Sequence, residues 1–87
     1  MSTENQTVLI SLKSPMVDTI YDFRISINMK IQTVIQQMLN CLEQQGLNPA
    51  VNKNQENMLL CTATHVLPKE KTIRQCGIQS GDVLVLV

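Results

Sequence analysis

Ile31, Val34, Ile35, Met38, Leu39 and Leu42 recur at the i, i+3, i+4, i+7, i+8, i+11 spacing that puts six aliphatic side chains on one face of an α-helix. Gln32, Thr33, Gln36, Gln37, Asn40 and Glu43 fall on the opposite face, so this segment has to lay its apolar stripe on another layer. Gly46 follows the last apolar position as a left-handed terminator and Pro49 lies just beyond, which predicts a helix over residues 30–45.

Strand signals flank this helix. Thr7 to Lys13 alternates, with Val8, Ile10 and Leu12 on one face, and Thr19 to Ile25 alternates again through Tyr21, Phe23 and Ile25. The two predict a hairpin with a connection of about five residues around Pro15. After the helix, residues 48–57 are polar and aperiodic, a loop. Met58 to Ala63 reads as a short strand, Val66-Leu67 as a brief second edge strand, and Val83 to Val87 as the closing strand. Thr72 ahead of Ile73-Arg74-Gln75-Cys76-Gly77 reads as a capped single turn ended by glycine, and Ser80-Gly81-Asp82 as a tight turn.

Hairpin, helix, then short strands define a two-layer α+β domain: a mixed four- to five-stranded sheet with one helix across one face. The crossover through the helix makes the first and last strands parallel neighbours. At 87 residues the chain is one domain, expected over residues 7–87 behind a flexible polar tail at 1–6. Its core must be aliphatic, since Tyr21 and Phe23 are the only aromatic residues.

Composition narrows function by exclusion. Seven basic and seven acidic residues cancel, and the bases are dispersed, so the phosphate-neutralising cluster and stacking aromatics of a nucleic-acid binder are missing. The longest apolar run, Val83 to Val87, is too short to insert in a membrane. The first residues are polar, unlike a signal peptide, and Cys41, Cys61 and Cys76 lack C-x-x-C spacing, so a cytoplasmic chain with free thiols is expected.

No residue set suggests catalysis, a metal or a cofactor. His65 lies four residues past Cys61; in an extended strand that is about 13 Å, too far for a nucleophile and its base, so His65 is expected as an exposed loop residue. Cys41 is expected at the border of the helical stripe and Cys76 half-buried in its turn. The acids Asp18, Asp22, Glu43, Glu56, Glu70 and Asp82 form no pair suited to acid–base work, and Gly77 and Gly81 are not followed by the lysine and helix start of a phosphate loop.

The sheet's second face is more informative. Period-two geometry puts Met58 and Leu60 on one side and Leu59 and Cys61 on the other; in the last strand Leu84 and Leu86 oppose Val83, Val85 and Val87. If Leu60, Leu84 and Leu86 pack under the helix, Leu59, Cys61, Val85 and Val87 face away from it. A half-solvated sheet ordinarily carries polar residues there, so an apolar patch on adjacent strands marks a protein-binding surface, the alternatives being cover by the N-terminal tail, a homodimer contact or plain solvent exposure.

The stretch Met58-Leu-Leu-Cys-Thr-Ala, then Leu67, then Lys71-Thr-Ile-Arg-Gln-Cys-Gly-Ile-Gln-Ser-Gly-Asp-Val-Leu-Val-Leu resembles the second half of ubiquitin-like β-grasp domains. With Tyr21-Asp-Phe-Arg-Ile-Ser and the helix from Ile31 to Leu42, the chain from about Thr7 to Val87 resembles the YukD/EsaB proteins of Gram-positive type VII (WXG/ESX-type) secretion systems. That resemblance implies a non-enzymatic cytoplasmic accessory or regulatory protein, held at the membrane periphery by binding cytosolic parts of the secretion machinery. It also implies that Leu59, Cys61, Val85 and Val87 lie on the face such domains offer to partners. A ubiquitin-like adaptor domain from another pathway is the alternative. The sequence given ends at Leu86-Val87 without a Gly-Gly pair, so conjugation is not expected.

Overall fold

The computed structural model describes residues 6–14, 17–46 and 57–87, with side chains from residue 20 onward in the second of these segments. The expected tail up to residue 5, Pro15 and most of the polar loop fall outside the described residues.

The elements are β1 (Thr7–Ser14), β2 (Val17–Ser26), α1 (Ile31–Gln44), β3 (Leu60–Cys61) and β4 (Val83–Leu86). They form one four-stranded sheet in the order β2-β1-β4-β3. β1 and β2 are an antiparallel hairpin, β1 and β4 run parallel, and β4 pairs antiparallel with β3. The hairpin is tighter than the alternation predicted. Ser14 pairs with Val17, which leaves two connecting residues instead of about five, and the register slips between Leu12 and Ser14.

All six residues of the helical stripe are buried, and α1 lies within a residue of its predicted limits. They pack on Ile10, Leu12, Ile25, Leu60, Leu84 and Leu86 from the sheet and on Met58, Leu67, Ile73 and Ile78 from the connections. Tyr21 and Phe23 pack only against the margin of this core. Gly46 closes α1 at φ +80°, with its N–H donating to the Glu43 carbonyl at 3.0 Å.

The start of α1 is held differently from any sequence signal. Lys30 occupies the cap position in extended geometry, with no side-chain cap. The first-turn N–H groups of Ile31 and Gln32 instead donate to the Lys71 and Lys69 carbonyls at 2.9 and 3.1 Å. A distant backbone segment thus satisfies donors that a helix start leaves without intrahelical partners.

The segment after Thr72 is a single turn closed at both ends. Thr72 Oγ1 accepts from the Gln75 N–H at 3.1 Å while Gln75 Oε1 accepts from the Thr72 N–H at 3.0 Å, a reciprocal capping box. At the other end the Gly77 N–H donates to the Arg74 carbonyl and the Ile78 N–H to the Ile73 carbonyl, the two bonds of a Schellman motif, with Gly77 at φ +72°. The accompanying apolar pair, Ile73 and Ile78, is buried in the core.

Among the described residues, no helix is long and apolar enough to cross a membrane.

Candidate protein-binding face

Burial in β3 and β4 divides by parity. Met58, Leu60, Leu84 and Leu86 are buried beneath α1, whereas Leu59, Cys61, Val85 and Val87 are each half-buried on the opposite side. Cys61 pairs with Val85, and Leu59 exchanges two backbone hydrogen bonds with Val87, so the four side chains form two adjacent rungs. The strand predicted over Met58–Ala63 is shorter than expected. Its regular part is only Leu60–Cys61, because the chain reverses after Cys61.

That reversal enlarges the face. Cys61 is bridged to Val66, the Thr62 N–H donates to the His65 carbonyl at 2.9 Å, and the Leu67 N–H donates to the Leu60 carbonyl at 2.8 Å. Val66 therefore stands beside Cys61, on the side away from the helix, while Leu67 points into the core. The expected second edge strand is this bridge. Val83 and Leu9 extend the apolar surface along β4 and β1. Val66, Val83 and Leu9 are 50%, 46% and 43% exposed, more open than the four residues singled out by pattern. Lys13, opposite Val85 across the parallel pair, supplies a charge at the rim.

Val83 alternates with Leu84, so its outward parity is legible in the sequence. Val66 was not accessible that way, because its placement depends on a reversal centred on Ala63 and Thr64.

His65 is an exposed loop residue, as expected, but the reversal changes its distance from Cys61. The chain from Cys61 to His65 is a turn and not an extended strand, so the 13 Å separation does not apply. The imidazole is engaged locally: Nδ1 lies 2.9 Å from Thr64 Oγ1 and 3.3 Å from Thr62 Oγ1. His65 shares a shallow hollow of about 270 Å³ with Val66, Leu67, Pro68, Lys71, Gln75 and Cys76. Cys41, Cys61 and Cys76 are free and half-buried, with Cys76 packed on the core. Among the described residues no group of three or more His, Cys, Asp or Glu side chains is placed to hold a metal ion.

No protein-family model matches the chain, and no curated protein matches it in sequence. Solved structures do match in shape. The N-terminal ubiquitin-like domain of the 4931431F19Rik protein superposes with a TM-score of 0.74 at 17% identity, covering 100% of this chain and 79% of that one. Caldiarchaeum subterraneum ubiquitin gives 0.69 at 16% identity, over 93% of this chain and 91% of that one. A ubiquitin-like domain from an Arabidopsis thaliana protein gives 0.71 at 11% identity, over 94% and 77%. At such identities the likeness concerns architecture alone, and it agrees with the strand order, the crossover and the single helix: the chain has the ubiquitin-like β-grasp fold.

Proposed function

We propose that this domain is a non-catalytic protein-binding module whose docking surface is the outer sheet face around Leu59, Cys61, Val85 and Val87, widened by Val66 and Val83. The observation that carries this reading is the division by parity. Leu60, Leu84 and Leu86 complete the core, so the aliphatic side chains of opposite parity have no partner layer among the described residues. Apolar side chains grouped on a sheet face gain by excluding water against a partner, and patches of this kind tend to mark interaction sites.

For the biological setting, the resemblance carried by Tyr21-Asp-Phe-Arg-Ile-Ser and Cys76-Gly-Ile-Gln-Ser-Gly-Asp favours an accessory or regulatory component of a type VII secretion system. In that setting the domain stays in the cytoplasm and reaches the membrane periphery by binding cytosolic domains of the secretion machinery. The second reading is an adaptor domain of another pathway, favoured by the fold likeness to ubiquitin-like domains of other proteins.

The test is binding of the purified domain to purified cytosolic domains of type VII membrane subunits from the same organism, measured by calorimetry. Saturable binding lost in Leu59→Asp and Val85→Asp supports the surface and the setting together. Absence of binding to every subunit removes the secretion setting. Binding that survives both substitutions in folded protein removes the surface.

A further inference from the structure

We propose that the free edge of β2 pairs with the same edge of a second copy of this chain, joining two four-stranded sheets about a two-fold axis centred on Phe23. β2 is ten residues long and is the terminal strand of the sheet. Natural edge strands of that length are commonly blunted by charged side chains, lysine above all, by proline or by a cover. Here Val17 to Ser26 contains no lysine or proline, its charges (Asp18, Asp22 and Arg24) are of both signs and so do not all repel a second copy, and no described segment pairs along its outer side.

Backbone geometry fixes which groups are on offer. The Ser11 N–H donates to Asp82 and the Gly81 N–H to the Leu9 carbonyl, so odd-numbered residues of β1 face β4 and even-numbered ones face β2. Their partners Tyr21, Phe23 and Ile25 therefore turn their peptide groups toward β1, as does Ile27, whose N–H donates to the Gln6 carbonyl. The peptide groups of Asp22 and Arg24 point the other way, outward from the sheet.

Side chains then narrow the register. In an antiparallel pair centred on Phe23, Asp22 of each copy lies opposite Arg24 of the other, with both side chains exposed on the outer face. The two central rungs that exchange backbone hydrogen bonds are the two that carry opposite charges. On the helix side, Phe23 meets Phe23 and Tyr21 meets Ile25, covering the two half-buried aromatic residues. A register centred on Asp22 or on Arg24 would set like charges against each other. The pattern is self-complementary, as an isologous two-fold contact requires.

Analytical ultracentrifugation over a range of concentrations should give a mass twice that of the chain, with dissociation promoted by salt. Arg24→Asp sets carboxylates against carboxylates at both rungs and should return the monomer. The double exchange D22R/R24D restores opposite charges and should restore the dimer. Amide hydrogen exchange reads the register directly: in the dimer the Asp22 and Arg24 amides are slowed along with those of Phe23 and Ile25. A wild-type monomer with fast exchange at Asp22 and Arg24 would overturn the proposal, and so would a dimer indifferent to both variants.

Discussion

Leu59 and Val87 face each other across a two-bond ring, the Leu59 N–H donating to the Val87 carbonyl at 2.7 Å and the Val87 N–H to the Leu59 carbonyl at 2.9 Å. The β3–β4 ladder therefore continues past its last regular rung, and the outer face gains a second aliphatic pair beside Cys61 and Val85. The ring uses backbone groups only, so a side chain at position 59 can change without loss of the pairing. Leu59→Asp and Val85→Asp should thus keep the native circular dichroism spectrum and lower stability only modestly. In a partner interface each would lose about 2 kcal/mol or more of binding, at least thirtyfold in affinity. Calorimetric titration of the folded variants checks this.

The adjacent residue behaves oppositely. Leu60 is wholly buried among α1 and β4 side chains. Leu60→Ala should cost about 2–5 kcal/mol, the transfer term plus the cavity left behind. A small domain has a total stability of roughly 5–15 kcal/mol, so this one substitution removes a large part of it. Leu59→Ala, at a half-buried position, should cost much less. Urea unfolding of the two variants side by side measures the parity division directly.

The helix and the burial parity were legible in the sequence because both are periodic and local. A 3.6-residue repeat over Ile31 to Leu42 leaves one way to bury the stripe, and alternation through Leu84 and Leu86 leaves one way to face it. The details around Lys30, Ala63 and Pro15 were not legible. Lys30 shows no capping side chain because the donors it leaves open are met by carbonyls some forty residues further on, and no local pattern encodes that. The reversal at Ala63 and Thr64 contains no glycine, proline or asparagine, so nothing local showed that the strand ending at Ala63 folds back against Val66-Leu67, and Val66 stayed outside the candidate face. At Pro15 the alternation on either side is equally good with two or five connecting residues; pairing of Ser14 with Val17 decides it.

The turn after Thr72 gives a third prediction. Its capping box is two side-chain-to-backbone bonds that depend on each other, and the turn delivers Ile73 into the core. The adjoining backbone also holds α1 in place, since the Ile73 and Arg74 N–H groups donate to the Met29 and Ile27 carbonyls. Thr72→Ala should cost about 1 kcal/mol, within the range for losing a cap. Gln75→Ala should cost less, and the double variant less than the sum, because each single change already breaks the reciprocity. Unfolding midpoints of the three variants give the coupling.

Gly77 isolates backbone conformation from space. It sits at φ +72°, and a Cβ built there meets nothing within 4 Å, so substitution causes no clash with neighbouring atoms. The cost of Gly77→Ala is then the left-handed conformation itself, about 1–2 kcal/mol. Asn, whose short polar side chain tolerates that region, should recover part of the loss. The Schellman bonds from Gly77 and Ile78 end the turn and keep Ile78 over the core, so straightening residue 77 would also loosen the connection into Ser80-Gly81-Asp82. There the Gly81 N–H donates to the Leu9 carbonyl and Leu9 donates to Ser80 Oγ at 3.1 Å. Amide exchange should therefore quicken at Leu9 and Gly81 in Gly77→Ala and less so in Gly77→Asn. Equal exchange in the two variants would mean that the strain stays confined to the turn.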